Sequence, residues 1–406
     1  MTATVPPVPD RAVDILLIGG GIAAATAART LREEGFGGRV LLVGRELDPP
    51  YHRPPATKGY LVGRERREQA LVHAPEWWEQ AGVELLTRTS VLELDPAARV
   101  AKLSTKEEIR FGQALLATGA MVRRLAVEGA ELEGIHYVRA LGNADALRRD
   151  VEGVEHVVCV GGSYIGSEVA ASLTELGKRV TVLMQEDHVL ERQFGARAGR
   201  FFRGVLEAHG IEVVGGDEVE RFIGEGRVRA VLTKGGRELP ADAVVCGVGA
   251  IPDVMLARKS GLELGPLGGV RCDATLRTGA PAIFAAGDMC EYASVVHGRP
   301  MRIEHEEHAA AQGVTVARNM LGAGAAHMEV PYFFSDLSDW VGLEYVGPAL
   351  SYDEEVVRGS IDEGAFSVWY LQGGRVRGTL SVAGQGDLDR ARELIRSGER
   401  VGAHEL

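Results

Sequence analysis

The sequence is poor in cysteine: 406 residues include only four, Cys159, Cys246, Cys272 and Cys290. None belongs to a C-x-x-C pair, and their separations do not match the ligand spacing of a metal site. Cys159 and Cys246 lie within apolar, strand-like segments, where cysteine behaves as a small buried hydrophobic residue. We therefore expect no dithiol chemistry and no cysteine-bound metal.

Long apolar runs and excess positive charge are also missing. No run approaches the roughly 18 residues of a membrane-spanning helix, and the start, MTATVPPVPDR, lacks a signal-peptide pattern and is interpreted as a frayed tail. Lys and Arg number 45 against 57 Asp and Glu, a net charge of −12, which argues against general nucleic-acid binding. We expect a cytoplasmic protein that binds neither membrane nor nucleic acid.

Hydrolase and metal motifs are absent as well. There is no G-x-S-x-G, H-E-x-x-H or P-loop pattern. His297, His305 and His308 lie close together in the sequence, but no cysteine or closing ligand completes a metal pattern. We expect no metal site.

Two βαβ patterns organise the first part of the chain. VDILLIGG (13–20), an alanine-rich helix from Ile22 and GRVLLVG (38–44) form the first, and HVVCVGG, IGSEVAASLTEL and KRVTVLM repeat it over 156–184. Continuous apolar runs are typical of parallel strands buried on both faces. An α/β fold with two Rossmann-type nucleotide-binding domains is predicted.

The pattern changes from about residue 326 to short strand-like runs with turn signals. AFSVWYLQGGRVRGTLSV (365–382) predicts a hairpin with its turn at QGG. DLDRARELIRSGE (387–399) is typical of a surface helix. We predict a separate α+β C-terminal domain of roughly 80 residues.

The first glycine turn has Gly19-x-Gly21-x-x-Ala24 between a strand and a helix. The glycines allow the tight turn and the close approach of a pyrophosphate, and Ala24 is small enough for helix packing. An acid is expected after the second strand to bind the adenosine ribose. Arg45 stands at that position and Glu46 follows it; we favour Glu46, with Arg45 contacting adenine or phosphate as the alternative.

The second turn, VGGSYIGSE, departs from this pattern. Ser163 stands between Gly161 and Gly166 where the second glycine is expected, and we expect weakened binding, with the hydroxyl able to bond a phosphate. Met184 replaces the ribose-binding acid, which leaves Gln185 or Glu186 as substitutes and Arg192 as the nearest candidate for a 2′-phosphate. We expect low affinity and poor discrimination between NADH and NADPH.

The segment YHRPPATK (51–58) holds Arg53 and Lys58 on either side of two prolines. Arginine suits a pyrophosphate, and a lysine can stabilise charge on a reduced flavin. Residue types alone support a surface loop with two solvated cations equally well.

The chain resembles the FAD-dependent ferredoxin reductases of bacterial oxygenase systems, which include putidaredoxin, rubredoxin and biphenyl-dioxygenase reductases and have apoptosis-inducing factor as a relative. The resemblance rests on several motifs in order: IGGGIAAATAA, RPPATK (usually RPPLSK), ALLATGA, VGGSYIGSE (usually GGGYIGLE), CGVGAIPD, IFAAGDM and VPYFFSD (usually VPWFWSD). It implies a glutathione-reductase-like fold with an FAD domain (1–118 and 248–325), an NAD(P)H domain (119–247) and a C-terminal domain (326–406).

The resemblance also implies residue roles. Lys58 and Glu168 would pair beside the flavin, and Asp288 would bind the ribityl or pyrophosphate end, with Glu304 and His305 beside the isoalloxazine. From the motifs and the resemblance together, the remaining expected cofactor contacts are Gly19, Gly21, Ala24, Arg45, Glu46, Arg53, Thr118, Gly119, Gly161, Ser163, Tyr164, Ile165, Gly166, Gly249 and Phe334. Relatives that use a cysteine nucleophile are disfavoured, because no cysteine precedes Cys159.

The implied reaction is electron transfer from NADH or NADPH through FAD to a ferredoxin or rubredoxin, by a monomer or homodimer. An acidic acceptor would need a basic docking area; 64–68 (RERRE) and the arginines at 192, 197, 200 and 203 are candidates. Phe334, in place of the usual tryptophan, bears on electron routing and partner identity. An NADH oxidase or diaphorase, or a flavin redox sensor, are the alternatives.

Overall fold

The computed structural model describes residues 11–406, so nearly all of the predicted N-terminal tail lies outside the described residues. The strands, numbered in chain order, are β1 (Arg11–Ile18), β2 (Val40–Val43), β3 (Val83–Leu86), β4 (Val91–Asp95), β5 (Val100–Leu103), β6 (Glu108–Leu116), β7 (Ala120–Val122), β8 (Ile135–His136), β9 (His156–Val160), β10 (Arg179–Leu183), β11 (Glu212–Val214), β12 (Val219–Glu225), β13 (Arg227–Thr233), β14 (Glu238–Pro240), β15 (Ala243–Cys246), β16 (Ala250–Pro252), β17 (Val270–Cys272), β18 (Ile283–Ala285), β19 (Cys290–Ser294), β20 (Arg299–Met301), β21 (Tyr332–Leu337), β22 (Val341–Val346), β23 (Glu354–Ser360), β24 (Ala365–Gln372) and β25 (Arg375–Val382). The α-helices are α1 (Ile22–Glu33), α2 (Pro75–Gln80), α3 (Leu141–Val151), α4 (Tyr164–Glu175), α5 (Glu191–Ala208), α6 (Met255–Lys259), α7 (Glu306–Met320) and α8 (Leu388–Ser397). Short 3-10 helices occupy Pro54–Thr57, Arg67–Ala70 and Ala403–Glu405.

The chain divides into two compact units, each formed from separate segments. Unit 1 contains 1–52, 71–120 and 252–331, of which the structure describes 11 onward. Unit 2 contains 53–70, 121–251 and 332–406.

Unit 1 is built on a sheet with strand order β3-β2-β1-β6-β5-β4, and β18 pairs with β6 on the other side. The pairings among β1, β2, β3, β6 and β18 are parallel, whereas β4–β5–β6 is an antiparallel extension. Every residue of β2 is buried, as expected for a parallel strand covered on both faces. Helices α1 and α7 pack together, and Gly313 permits their close approach because a Cβ there would lie 2.3 Å from Ala23 O.

Unit 2 contains a parallel sheet of order β11-β10-β9-β15-β8 and an antiparallel sheet of order β12-β13-β14. Every residue of β9 and of β15 is buried. Residues 332–406 add an antiparallel sheet of order β21-β22-β25-β24-β23, against which α8 packs.

The predicted α/β fold class, with two Rossmann-type sheets and a C-terminal α+β part, is confirmed. The hairpin is also confirmed, because Gln372 pairs with Arg375 across a turn of two glycines that both have positive φ. The predicted terminal helix is α8. All four cysteines are free and buried, as predicted for Cys159 and Cys246. Among the helices of residues 11–406, none is long and apolar enough to cross a membrane.

Candidate functional site

The first glycine turn joins β1 to α1 at the carboxyl end of the parallel strands of unit 1. Gly19 has φ of +129°, and a Cβ there would lie 2.1 Å from Ala117 O, so only glycine fits. Gly21 is the N-cap of α1, and its Cβ position is open, with no described atom within 4 Å. Ala24 is fully buried. The turn therefore presents a helix start that is open in front of Gly21, as anion binding requires.

Arg45, Thr118 and Gly119 converge on Asp253. Arg45 Nη1 lies 2.8 Å from Asp253 Oδ2. The Thr118 hydroxyl donates to the main-chain oxygen of Asp253 at 2.6 Å, and the Asp253 amide donates to Gly119 O at 2.8 Å. Arg45 is therefore held by a carboxylate of its own unit.

Glu46 has a different environment from Arg45. Its Oε2 accepts a hydrogen bond of 2.5 Å from the Tyr51 hydroxyl, and Tyr51 is buried. The carboxylate is thereby oriented by the protein. The choice of Glu46 over Arg45 as the ribose-binding residue stays a prediction.

Asp288, Glu304 and His305 lie together in unit 1. Arg302 Nη1 donates to Asp288 O at 3.1 Å and to Glu304 Oε1 at 2.5 Å. His305 is the N-cap of α7, and burial lowers its pKa to about 4 against the opposing effect of the Asp288 charge. A neutral imidazole thus stands at the start of α7, while Glu304 is engaged by Arg302.

The second glycine turn joins β9 to α4 in unit 2. Gly161 has φ of +108°, and a Cβ on Gly166 would lie 1.9 Å from Gly161 O, so both positions require glycine. Ser163 is the N-cap of α4, and its hydroxyl donates to Gly247 O at 3.1 Å. Direct donation of this hydroxyl to a phosphate, as predicted from the sequence, would require it to leave Gly247.

The end of β10 carries the residues that were predicted to face the adenosine ribose. Met184 is buried and lies over the turn, because a Cβ on Gly162 would be 2.1 Å from its sulfur. Gln185 Nε2 donates to Glu218 Oε2 at 2.5 Å. Glu186 forms an ion pair with Arg192. The polar substitutes for the missing acid are therefore engaged within unit 2.

A buried polar centre surrounds Glu168, which α4 carries. Thr57 Oγ1 donates to Glu168 Oε2 at 2.7 Å, and Ser335 Oγ donates to Oε1 at 2.5 Å. Lys58 Nζ lies 3.4 Å from Glu168 Oε1 and 2.9 Å from Asp336 Oδ2. The contact between Lys58 and Glu168 that the resemblance implies is present, and a second carboxylate shares the lysine.

Two further predicted residues lie around this centre. The ring centroid of Phe334 is 5.5 Å from Lys58 Nζ, within the range of a cation–π contact, and its side chain is 45% exposed. Arg53 Nη1 donates to Arg139 O at 3.1 Å. Phe334 therefore offers an accessible aromatic face next to the lysine.

Three predicted residues flank the second turn. Tyr164 begins α4, its ring packs 4.2 Å from that of Phe333, and burial raises its pKa well above the usual value. Ile165 remains 37% exposed. Gly249 has φ of +98° and accepts a hydrogen bond of 2.9 Å from the Arg123 amide.

The sequence interpretation missed the partners of these residues. Asp253 ends the motif CGVGAIPD, which by itself predicts no role for it, yet Asp253 contacts Arg45, Thr118 and Gly119. Thr57, Ser335 and Asp336 lie within RPPATK and VPYFFSD, but those motifs by themselves predict no role for them. The sequence does mark these four residues by where they stand. Thr57 and Ser335 are next to the predicted residues Lys58 and Phe334, and Asp253 and Asp336 are the last residues of two family motifs.

The residues present fit a dinucleotide at each turn. Both turns end parallel strands, and the first turns of α1 and α4 contain no acidic side chain that would repel a pyrophosphate. In the described part of the chain, no group of three His, Cys, Asp or Glu side chains could hold a metal. Unit 1 and unit 2 therefore each contain a turn suited to nucleotide binding.

Family models match nearly the whole chain. Residues 13–313 match the model for pyridine nucleotide-disulphide oxidoreductases, and residues 332–406 match the model for the reductase C-terminal domain.

Individual proteins are also similar to this chain over nearly its whole length. A ferredoxin–NAD(P)(+) reductase from Sphingomonas sp. is 33% identical over 96% of this chain and 94% of that protein. The crystal structure of the ferredoxin reductase of the CYP199A2 system from Rhodopseudomonas palustris has a TM-score of 0.91, 31% identity and coverage of 97% and 96%. The covalent putidaredoxin reductase–putidaredoxin complex has a TM-score of 0.91, 30% identity and coverage of 98% and 96%.

Proposed function

The chain belongs to the pyridine nucleotide-disulphide oxidoreductase family, and on that premise we propose that it passes electrons from NADH or NADPH through FAD to a ferredoxin-type protein serving an oxygenase. The similarity to ferredoxin reductases over nearly the whole chain carries this proposal. A rubredoxin-type acceptor is a variant of the same function. We further propose that the enzyme is a cytoplasmic monomer or homodimer.

We assign FAD to 1–118 and 248–325, the nicotinamide nucleotide to 119–247, and a supporting role to 326–406. The proposed FAD contacts are Gly19, Gly21, Ala24, Arg45, Glu46, Arg53, Lys58, Thr118, Gly119, Asp288, Glu304, His305 and Phe334. The proposed nicotinamide-nucleotide contacts are Gly161, Ser163, Tyr164, Ile165, Gly166, Glu168 and Gly249. Support comes from the two glycine turns: the start of α1 is open in front of Gly21, and the first turns of α1 and α4 contain no acidic side chain that would repel a pyrophosphate.

Bound FAD supplies the exchange between a hydride donor and a one-electron acceptor. The contribution of Lys58 is a fixed positive group, held between Glu168 and Asp336. Hydroxyl hydrogen bonds from Thr57 and Ser335 fix the Glu168 carboxylate in turn. A buried ion pair is tolerated only when both partners are present and further hydrogen bonds are formed. These contacts therefore hold the Lys58 ammonium group in one position.

The nicotinamide-nucleotide site is proposed to accept both NADH and NADPH. Met184 provides no acid to bind the ribose 2′-hydroxyl or to repel a 2′-phosphate. Glu186 is neutralised by Arg192, so the adenosine end carries little net charge from this pair. We therefore expect this site to discriminate poorly between NADH and NADPH.

The acceptor is proposed to dock near α5. Of the two basic candidates, the 64–68 segment has Arg64 and Arg67 in ion pairs with Glu175 and Asp145, which leaves one exposed arginine, Arg66, without an ion pair within residues 11–406. In the other candidate Arg192 and Arg203 are paired, which leaves two. Arg197 and Arg200 on α5 are exposed and form no ion pair within residues 11–406. Unpaired arginines provide the positive potential that an acidic partner requires.

Anaerobic stopped-flow reduction of the bound flavin by NADH and by NADPH tests the proposal. We expect rapid bleaching with both nucleotides, and reduction of cytochrome c only after a ferredoxin is added. Failure of both nucleotides to reduce the flavin would contradict the assignment.

Met184 also favours a second function, a redox sensor with slow nicotinamide turnover. In that case the same experiment would show slow reduction and a long-lived charge-transfer absorbance. An oxidase or diaphorase would instead turn over with oxygen or quinones and without ferredoxin.

A further inference from the structure

Unit 1 contains a buried cluster of polar rings formed by Tyr292, His308 and His327. Their exposed fractions are 0%, 2% and 1%. The ring centroids form a triangle, with 4.9 Å between the two histidines and 5.6 and 5.3 Å from Tyr292 to His308 and His327. None of the three belongs to the cofactor contacts proposed above.

Hydrogen bonds determine which nitrogen of His308 carries the proton. The Gln312 carbonyl accepts from the Gly287 amide at 2.7 Å, so its amide nitrogen is the group that faces His308 Nε2 at 3.2 Å. Since Gln312 donates there, His308 Nε2 accepts, and Nδ1 bears the hydrogen. Burial lowers the pKa of His308 well below the usual range, which keeps the ring neutral.

The tautomer of His327 follows in the same way. Thr315 Oγ1 donates to Ala311 O at 3.1 Å and therefore accepts from His327 Nδ1 at 2.9 Å. His327 Nε2 is then an acceptor. Burial lowers the pKa of His327 to about 4, so this ring is neutral as well.

Three polar atoms of the cluster have no hydrogen-bond partner within residues 11–406: His308 Nδ1, His327 Nε2 and the Tyr292 hydroxyl. The Ser294 hydroxyl acts on the Tyr292 hydroxyl closely enough to lower the Tyr292 pKa against the larger effect of burial, but the two form no hydrogen bond of normal geometry, and Ser294 Oγ also contacts His297 Nδ1 at 3.1 Å. A buried polar group without a partner costs about 1–3 kcal/mol. The cluster presents one donor, one acceptor and one hydroxyl, which together match a water molecule.

We propose that a buried water binds Tyr292, His308 and His327, and that it fixes a chain of contacts that positions the Gly287–Asp288 turn. The chain runs from the water through His308 and Gln312 to the Gly287 amide. Gly287 lies between α1 and α7, because a Cβ there would be 3.6 Å from Ala23 Cβ and 3.7 Å from Ala309 Cβ. His308 and Gln312 are positioning residues, and their effect on FAD rests on the function proposed above.

Substitution of His308 tests the chain. His308→Phe removes both hydrogen bonds, and we expect the FAD dissociation constant to rise about tenfold, with a shifted flavin midpoint potential. His308→Gln restores an acceptor for Gln312, and we expect it to recover most of the lost affinity. His404→Phe, at an exposed residue of the last 3-10 helix, is the matched control.

A second measurement keeps the test independent of folding defects and of FAD binding. A crystal structure of the unsubstituted protein should show a water within hydrogen-bond distance of all three atoms, with or without cofactor. A dry cluster, or wild-type affinity and potential in folded His308→Phe, would overturn the inference. Absence of FAD binding in the unsubstituted protein would instead refute the proposed function.

Discussion

At the scale of single residues, two glycines of one turn are required for different reasons. The fold of the chain itself requires glycine at position 19, because the Cβ of any other residue there would collide with Ala117 O. A Cβ at position 21 would point into open space, so the fold does not require glycine there. Glycine is needed at this position only if a ligand comes close to the turn.

Gly21→Ala should therefore separate binding from stability. We expect FAD affinity to fall by about tenfold or more, while the free energy of unfolding of the apoprotein changes by less than about 1 kcal/mol. The ratio of flavin to protein absorbance and chemical denaturation measure the two effects. Gly37→Ala, another open position, is the control; full flavin retention in Gly21→Ala would contradict the proposed site.

His52 carries a prediction about pH. Its Nδ1 lies 2.6 Å from Glu306 Oε1, and that hydrogen bond raises the His52 pKa above the usual 6.5. The stabilisation is fully present below pH 6.5, where even the unfolded chain is protonated, and is lost as pH rises through the folded pKa. NMR titration should give a lower His52 pKa in Glu306→Gln, and an unchanged value would contradict the contact.

At the scale of elements, α4 carries two functions at once. Its N-terminus closes the second glycine turn, and Glu168 one turn later forms the centre of the buried polar cluster. Any displacement of α4 thus changes the nucleotide turn and the position of Lys58 together.

Two glutamates of α4 should differ strongly in their effect on stability. Glu168→Ala leaves Lys58 without one carboxylate and leaves the buried Ser335 hydroxyl without its acceptor, whereas Thr57 can still donate to Pro54 O at 3.0 Å. We therefore expect a loss of about 3–5 kcal/mol. Glu175→Ala removes a more exposed ion pair with Arg64, and we expect about 1 kcal/mol or less. Denaturant unfolding measures both, and equal losses would contradict the role of the buried centre.

At the scale of the whole molecule, four buried thiols distinguish this chain from relatives that use a cysteine nucleophile. Burial raises the pKa of Cys246 to about 12 and that of Cys159 further, and the thiolate is the reactive form. We therefore expect none of these four thiols to act as a nucleophile in the reaction.

A thiol reagent should leave the native enzyme unmodified and active. We expect no reaction of the folded protein with an aromatic disulphide reagent, and four equivalents after denaturation. Quantitative absorbance measures both, together with NADH-dependent activity. Rapid inactivation of the folded protein would contradict the proposed mechanism.

Strands, turns and fold class could be predicted from the sequence because they depend on local patterns. Apolar runs define β1, β2, β9 and β10, and the glycines at 19 and 161 occupy conformations that no other residue adopts comfortably. The roles of Lys58 and Glu168 required a family resemblance, since their contact joins residues 110 positions apart.

The sequence alone determined which residue types stand at the ends of the parallel strands, because burial and backbone conformation restrict them locally. Only the tertiary structure decided how their side chains are used. It directs the Ser163 hydroxyl to Gly247, pairs Glu186 with Arg192 and adds Asp336 to Lys58. Such choices depend on which polar groups distant segments bring within hydrogen-bond distance, and no local pattern encodes those distances.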